Sequence, residues 1–151
     1  MRSPTVRPLV ALLVTTAVLA APAWAFPASK GNEACDLLKR SEIAEVTGEK
    51  AGKPEELGIE DSSCFWELES AGGGGMTLLV DRGRDAKPYY EELQAGFRPE
   101  ALVEVDGLGK EAFFVVDQIG VLRRKKTAFY ISGVFDRAQA EALAVIVLER
   151  V

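Results

Sequence analysis

Few residues of this chain have the types and spacing that chemistry requires. It has 151 residues, two cysteines (Cys35 and Cys64) and no histidine. Without histidine, Ser-His-Asp and Cys-His catalysis in their usual forms are unavailable, and so is His-ligated zinc. Two cysteines alone cannot fill a tetrahedral metal site, and they are not spaced as the Cys-x-x-Cys of a redox pair. No metal and no cofactor are therefore expected. The remaining acid–base candidates are carboxylates: Glu60-Asp61, Glu67, Glu69 and Asp117. Each sits among other acids at ordinary surface spacing, with nothing in the pattern to isolate and tune it. No catalytic residue is assigned.

Two glycine-rich stretches invite a phosphate-binding reading and fail it on context. "AGGGG" at 71–75 lacks the Gly-Lys-Ser/Thr ending of a P-loop and runs into "MTLLV", a strand pattern. "GLGKEA" at 107–112 runs into "FFVVD" rather than a helix, so it reads as a turn. The densest positive charge is "RRKK", Arg123, Arg124, Lys125 and Lys126. At a hairpin tip such charge discourages edge pairing. It is also a possible contact for an anionic surface, envelope polymer or lipid headgroup. Arg82 and Arg84 join it only if the strand order brings them near.

The start of the chain sets the compartment. Arg2 and Arg7 precede an apolar run at 9–20, and "Ala23-Trp24-Ala25" offers the small residues of a signal-peptidase site. A membrane span needs roughly 20 helical residues, more than this run supplies. The expected organisation is a cleaved signal peptide at 1–25 and a single domain at 26–151. The protein is then secreted, periplasmic or held in the cell envelope, with no transmembrane anchor after cleavage. Loss of Arg2 and Arg7 takes the formal charge from −5 to about −7. A negative domain is a poor partner for nucleic acid, whose phosphates demand a basic face. The expected partner is an exported protein, a lipid or another envelope component.

Cys35 follows "GNEA", far from the apolar run, so it is not a lipobox cysteine and the chain does not read as a lipoprotein. An even cysteine count in an exported chain reads as a disulfide, with a pair of free buried thiols as the alternative. A Cys35–Cys64 bond would stabilise by about 3.6 kcal/mol in the chain-entropy model.

The elements that must position these residues read as α-β-β-α-β-β-β-α. "CDLLKRSEIAEVTG" is helical, with Ser41 as a cap, Ile43 and Val46 on one side, and Gly48 as the stop. "SCFWELES" and "MTLLVDRG" form a hairpin. "DAKPYYEELQAG" is a helix capped by Asp85, with Tyr89, Leu93 and Phe97 as its apolar stripe. "ALVEVDGLGKEAFFVVD" is extended with a break at 107–109, and "GVLRR" and "TAFYISGV" are two further strands. "DRAQAEALAVIVLERV" is a closing helix with Asp136 and Gln139 as a variant capping box. Leu143, Ile146, Val147 and Val151 form its apolar stripe. The fold class is α+β, an antiparallel sheet of about five strands with about three helices.

Three strands carry adjacent aromatics: Phe65-Trp66, Phe113-Phe114 and Phe129-Tyr130. Strand alternation puts one ring of each pair on each side of the sheet. Helices on both faces, a curled sheet with an inner groove, or an apolar binding patch would each accommodate them. On the patch reading, Phe65, Phe114 and Tyr130 are the contact residues. The leading function is thus an exported, non-catalytic binding or interaction module. The alternative is a small carboxylate-dependent hydrolase acting on envelope polymers.

"Cys35-Asp36-Leu37-Leu38", a helix ending at Gly48, "Cys64-Phe65-Trp66" and "Gly107-Leu108-Gly109-Lys110-Glu111-Ala112-Phe113" follow in this order across residues 35–113. The chain thereby resembles the small exported and lipoprotein domains of unknown function common in actinobacteria. The resemblance implies an α+β fold and a Cys35–Cys64 bridge, and it implies no activity. Unlike many such domains, this chain lacks a lipobox and a Ser/Thr/Pro-rich tether. Protein recovered after export should begin at Phe26 by intact mass. Its two cysteines should take up an alkylating agent only after reduction.

Overall fold

A computed structural model describes residues 33–58, 62–69, 74–83 and 86–151. The signal-peptide expectation, Glu60-Asp61, most of "AGGGG", Arg84 and the Asp85 cap lie outside the described residues. The elements are α1 (Glu33–Leu37), α2 (Arg40–Thr47), β1 (Glu55–Glu56), β2 (Ser63–Glu67), β3 (Gly75–Arg82), α3 (Ala86–Ala95), a 3-10 turn (Pro99–Ala101), β4 (Val103–Glu104), β5 (Glu111–Val115), β6 (Gln118–Arg124), β7 (Thr127–Ser132) and α4 (Arg137–Arg150). The strands form one antiparallel sheet in the order β1-β2-β3-β7-β6-β5-β4. The α+β class holds, with seven strands rather than about five and four helices rather than about three. The extra strands, β1 and β4, are two residues each, too short to leave an alternation pattern. The extra helix arises because "CDLLKRSEIAEVTG" breaks at Leu38-Lys39.

Ser41 does not cap α2. The cap is Lys39, whose N–H donates to the Glu42 carboxylate at 2.8 Å, one half of a capping box. Gly48 does end the helix, at φ 74°, with its N–H donating to the Ala44 carbonyl. Asp136 caps α4 by accepting from the Gln139 N–H at 3.0 Å. The Gln139 side chain turns instead to the Thr47 carbonyl at 3.4 Å, linking α4 to α2.

The sheet is two meanders joined at β3–β7. Chain direction forces a return between them, because β3 and β4 run the same way, and α3 is that return. It crosses one sheet face, while α1, α2 and α4 lie on the other. Helices on both faces therefore account for the aromatic pairs. Trp66, Phe114 and Phe129 point to the α1/α2/α4 side, into a core with Met76, Leu78, Ile131, Leu143 and Val147. Phe113 and Tyr130 point to the α3 side, under Ala86 and Tyr90. In α3 the wholly covered residues are Ala86 and Tyr90, while Tyr89, Leu93 and Phe97 pack only in part. Gly120 makes this second core possible: a Cβ there would lie 2.5 Å from the Phe113 ring and 3.2 Å from that of Tyr130.

Cys35 of α1 bonds Cys64 of β2, with Cα atoms 5.1 Å apart. Cys64 and Trp66 share a strand face, so the bond draws α1 down onto the Trp66 side. Two further ties hold the same helix. The Ala34 N–H donates to Ser62 Oγ at 2.6 Å, and Glu33 pairs with Arg82 at 3.0 Å.

Near the end of α4, Arg150 fastens the α1–α2 junction. It donates to the Leu37 carbonyl at 2.7 Å and to both Glu42 carboxylate oxygens, at 2.8 and 2.6 Å. The Arg150 guanidinium holds the Glu42 carboxyl at about 2, below its ordinary 4.5.

Reduction of the Cys35–Cys64 bond should lower unfolding stability by about 3–4 kcal/mol, measured by denaturant titration with and without reductant. Glu42→Gln should cost about 1–2 kcal/mol at neutral pH, as expected for a bidentate, partly buried carboxylate–guanidinium pair. Because the folded state lowers this pKa, the contribution is full above about pH 4.5 and is lost as pH falls toward 2. The gap between parent and variant midpoints should close over that window.

Candidate functional site

The aromatic trio expected as a contact patch is not one surface. Paired residues share a face. Phe65 pairs with Thr77, Leu79 pairs with Tyr130, and Phe114 pairs with Ile119. Phe114 therefore belongs to the Cys64/Trp66 face, opposite Phe65 and Tyr130, and it is 8 % exposed. Tyr130 is 4 % exposed, with the Tyr89 ring edge-on at 5.6 Å and the Tyr90 ring stacked at 6.4 Å. Burial and then the nearby Asp81 push its hydroxyl pKa well up. Phe65 remains half-buried, its ring lying over Gly75, where a Cβ would come within 2.2 Å of it. Sequence alternation separates neighbouring residues correctly but cannot say which ring of one strand sides with which ring of another. Register decides that.

Register does assemble a basic end of the sheet. β6 and β7 are joined by a two-residue loop, Lys125-Lys126. Neither lysine has positive φ, so the loop is not one of the mirror-image turns that match strand twist. A register shift between Leu122 and Arg124 places a bulge at Arg123 and absorbs the mismatch. Arg124, Lys125 and Lys126 are exposed and Arg123 is partly so. None of these four forms an ion pair among the described residues.

Their neighbours add to the charge. Arg82 pairs in register with Thr127, and the Gly83 N–H donates to the Lys126 carbonyl at 2.9 Å. Lys110 stands on the other side, its N–H donating to the Leu122 carbonyl at 2.8 Å. Arg82 and Lys110 are each balanced by a glutamate, Glu33 and Glu111. The net excess therefore belongs to residues 123–126. Nothing local in the sequence marks Lys110 as part of this end, and Arg82 enters it only through the β3–β7 pairing.

The opposite end of the sheet is acidic. Glu67 closes β2, Glu69 follows it, and Asp117 lies in the β5–β6 loop. Glu69 is paired with Lys50 at 2.7 Å, and the Glu67 side chain is on the face away from Trp66. Asp117 and Glu49 line a cleft of about 280 Å³ beside Phe135, which is 74 % exposed. A second cleft, of about 310 Å³, lies between α3 and β4–β5 and is lined by Tyr90, Gln94, Glu104 and Glu111. Burial, then the charges of Glu111 and Glu104, raise the Tyr90 pKa. The sequence-based carboxylate candidates are thus dispersed, and the described ones do not converge on one site. Among the described residues, no group of three or more histidine, cysteine or acidic side chains is placed to hold a metal ion. No described helix is long and apolar enough to cross a membrane. Set against known protein families, curated proteins and solved structures, the chain finds no match.

Proposed function

We propose that this chain is an exported, non-catalytic interaction module that docks end-on against an anionic lipid surface through Arg123, Arg124, Lys125 and Lys126. The observation that carries this reading is the segregation of charge along the sheet. Arg123, Arg124, Lys125 and Lys126, which form no ion pair among the described residues, lie at one end, and Glu49, Glu67 and Asp117 lie toward the other, on a chain of net negative charge. Such a distribution turns a molecule so that its basic end meets a negative surface while its acidic end is repelled. A projecting two-residue loop suits a flat array of phosphates better than it suits a groove-filling polymer. Each lysine or arginine near an anionic membrane contributes about 1 kcal/mol, which falls off within a Debye length. Four of them give a weak, reversible and salt-sensitive attachment. The disulfide and the expected signal peptide support an extracytoplasmic setting for it.

The full chain should co-sediment with phosphatidylglycerol vesicles, less so as salt is raised, and not with phosphatidylcholine vesicles. Replacing residues 123–126 by glutamine should weaken the binding by about tenfold or more. Equal binding to both vesicle types, or unchanged binding by the variant, would refute end-on docking. So would capture by a soluble polyanion in preference to the vesicles.

A further inference from the structure

Four side chains that can accept hydrogen bonds converge at the cleft between α3 and β4–β5. Strand register brings two of them. Glu104 pairs with Phe113, and Glu111 stands two residues before Phe113 on β5. Both carboxylates therefore share the Phe113 face, the one that α3 crosses. Helix spacing brings the other two. Tyr90 and Gln94 stand one turn apart on α3, and both line the cleft.

Tyr90 is the fixed point of this group. It is 1 % exposed, with its ring 5.4 Å from that of Phe113 and 6.4 Å from that of Tyr130. Its hydroxyl has no hydrogen-bond partner among the described residues. The Tyr130 hydroxyl also lacks a partner but is fully enclosed, whereas that of Tyr90 keeps an open side on the cleft. Burial first, then the charges of Glu111 and Glu104, hold the Tyr90 hydroxyl protonated. Those two charges stand on β5 and β4, so the hydroxyl is turned toward the cleft and away from β7.

The cations nearby do not neutralise the site. Lys110 pairs with Glu111 at 3.1 Å, but both side chains are about half exposed, and such surface pairs are weak. Lys87, which also feels Glu111, is engaged by Glu91. Glu104 has no ion pair among the described residues. Buried polar groups normally have partners, so an orphan hydroxyl opening between two carboxylates calls for a ligand that donates.

We infer that this cleft binds a guanidinium group, whose N–H groups donate to Glu104, Glu111, the Tyr90 oxygen and the Gln94 side-chain carbonyl. A planar fork of N–H donors can serve all four acceptors, whereas an ammonium has too few donors to do so. At about 310 Å³ the cleft is at the small end of ligand sites, which suits one such group on a slender stem. Residues 123–126 do not line it, and the inference does not rest on membrane docking.

Agmatine and the peptide acetyl-Gly-Arg-Gly-amide present this group from two sources, a free small cation and the arginine side chain of a protein partner. In calorimetry with the full chain, at least one should bind saturably, and the tighter of the two identifies the source. Glu104→Gln and Glu111→Gln should each weaken that binding by about tenfold or more. Tyr90→Phe removes the hydroxyl and keeps the ring, and should weaken it by about threefold or more. The urea unfolding midpoint of Tyr90→Phe should match the parent, because the hydroxyl has no partner to lose. The glutamine variant of residues 123–126 should bind agmatine no more weakly than the parent, which separates this site from the docking end. Putrescine binding as tightly as agmatine would overturn the inference, as would calcium displacing agmatine at equal concentration. Glu67→Gln weakening binding as much as Glu104→Gln would reduce it to general attraction of a cation by a negative chain. Failure of both guanidinium compounds to saturate would also overturn it.

Discussion

The pairing of β3 with β7 is the constraint on which the rest of this structure depends. It joins residues 77–82 to residues 127–132, two strands with α3 and three further strands between them in sequence. Once it forms, two separate meanders become one sheet with a buried centre. The segment between them must then cross a face to reach the far edge, and α3 is where it crosses. The contact is non-local, so its loop-closure entropy must be met before it yields any stabilisation. The two cores, one on each face, are what offset that cost.

The same pairing explains why most of the paired aromatics are covered rather than exposed. A sheet with one solvated face would leave Phe113 and Tyr130 exposed. With α3 laid across, both rings pack beneath Tyr90, and Gly120 leaves room for them. On the opposite face the amino-terminal helices are short, five and eight residues, and would be marginal alone. They are held by bonds from distant parts of the chain: the disulfide to β2, the Ser62 hydroxyl, and Arg150 reaching back from α4.

Much of the local structure was legible in the sequence. Short apolar, strand-like runs marked β2, β3, β6 and β7, and the Gly48 stop and the Asp136 cap marked helix ends by short-range geometry. The Cys35–Cys64 bond followed from an even cysteine count in a chain read as exported, an argument about redox compartment rather than shape. Short-range reading failed where the competing signal came from elsewhere. Ser41 is a good capping residue, but Glu42 is held by Arg150 and by the Lys39 amide, which puts the cap of α2 at Lys39, two residues earlier. β1 and β4 exist only as edge pairings to longer strands.

The sequence by itself determined which side chains are opposed across each strand, where charge is concentrated, and that no histidine is present. These depend on residue identity and on spacing over a few positions. Only the tertiary structure decided which strands are neighbours. It thereby decided that Phe114 turns away from Phe65 and Tyr130, that Arg82 and Lys110 flank the "RRKK" tip, and that Glu104 and Glu111 share a cleft with Tyr90. Each of these is a juxtaposition of residues far apart in the chain, fixed by strand order and register, and strand order leaves no period in a sequence from which to read it.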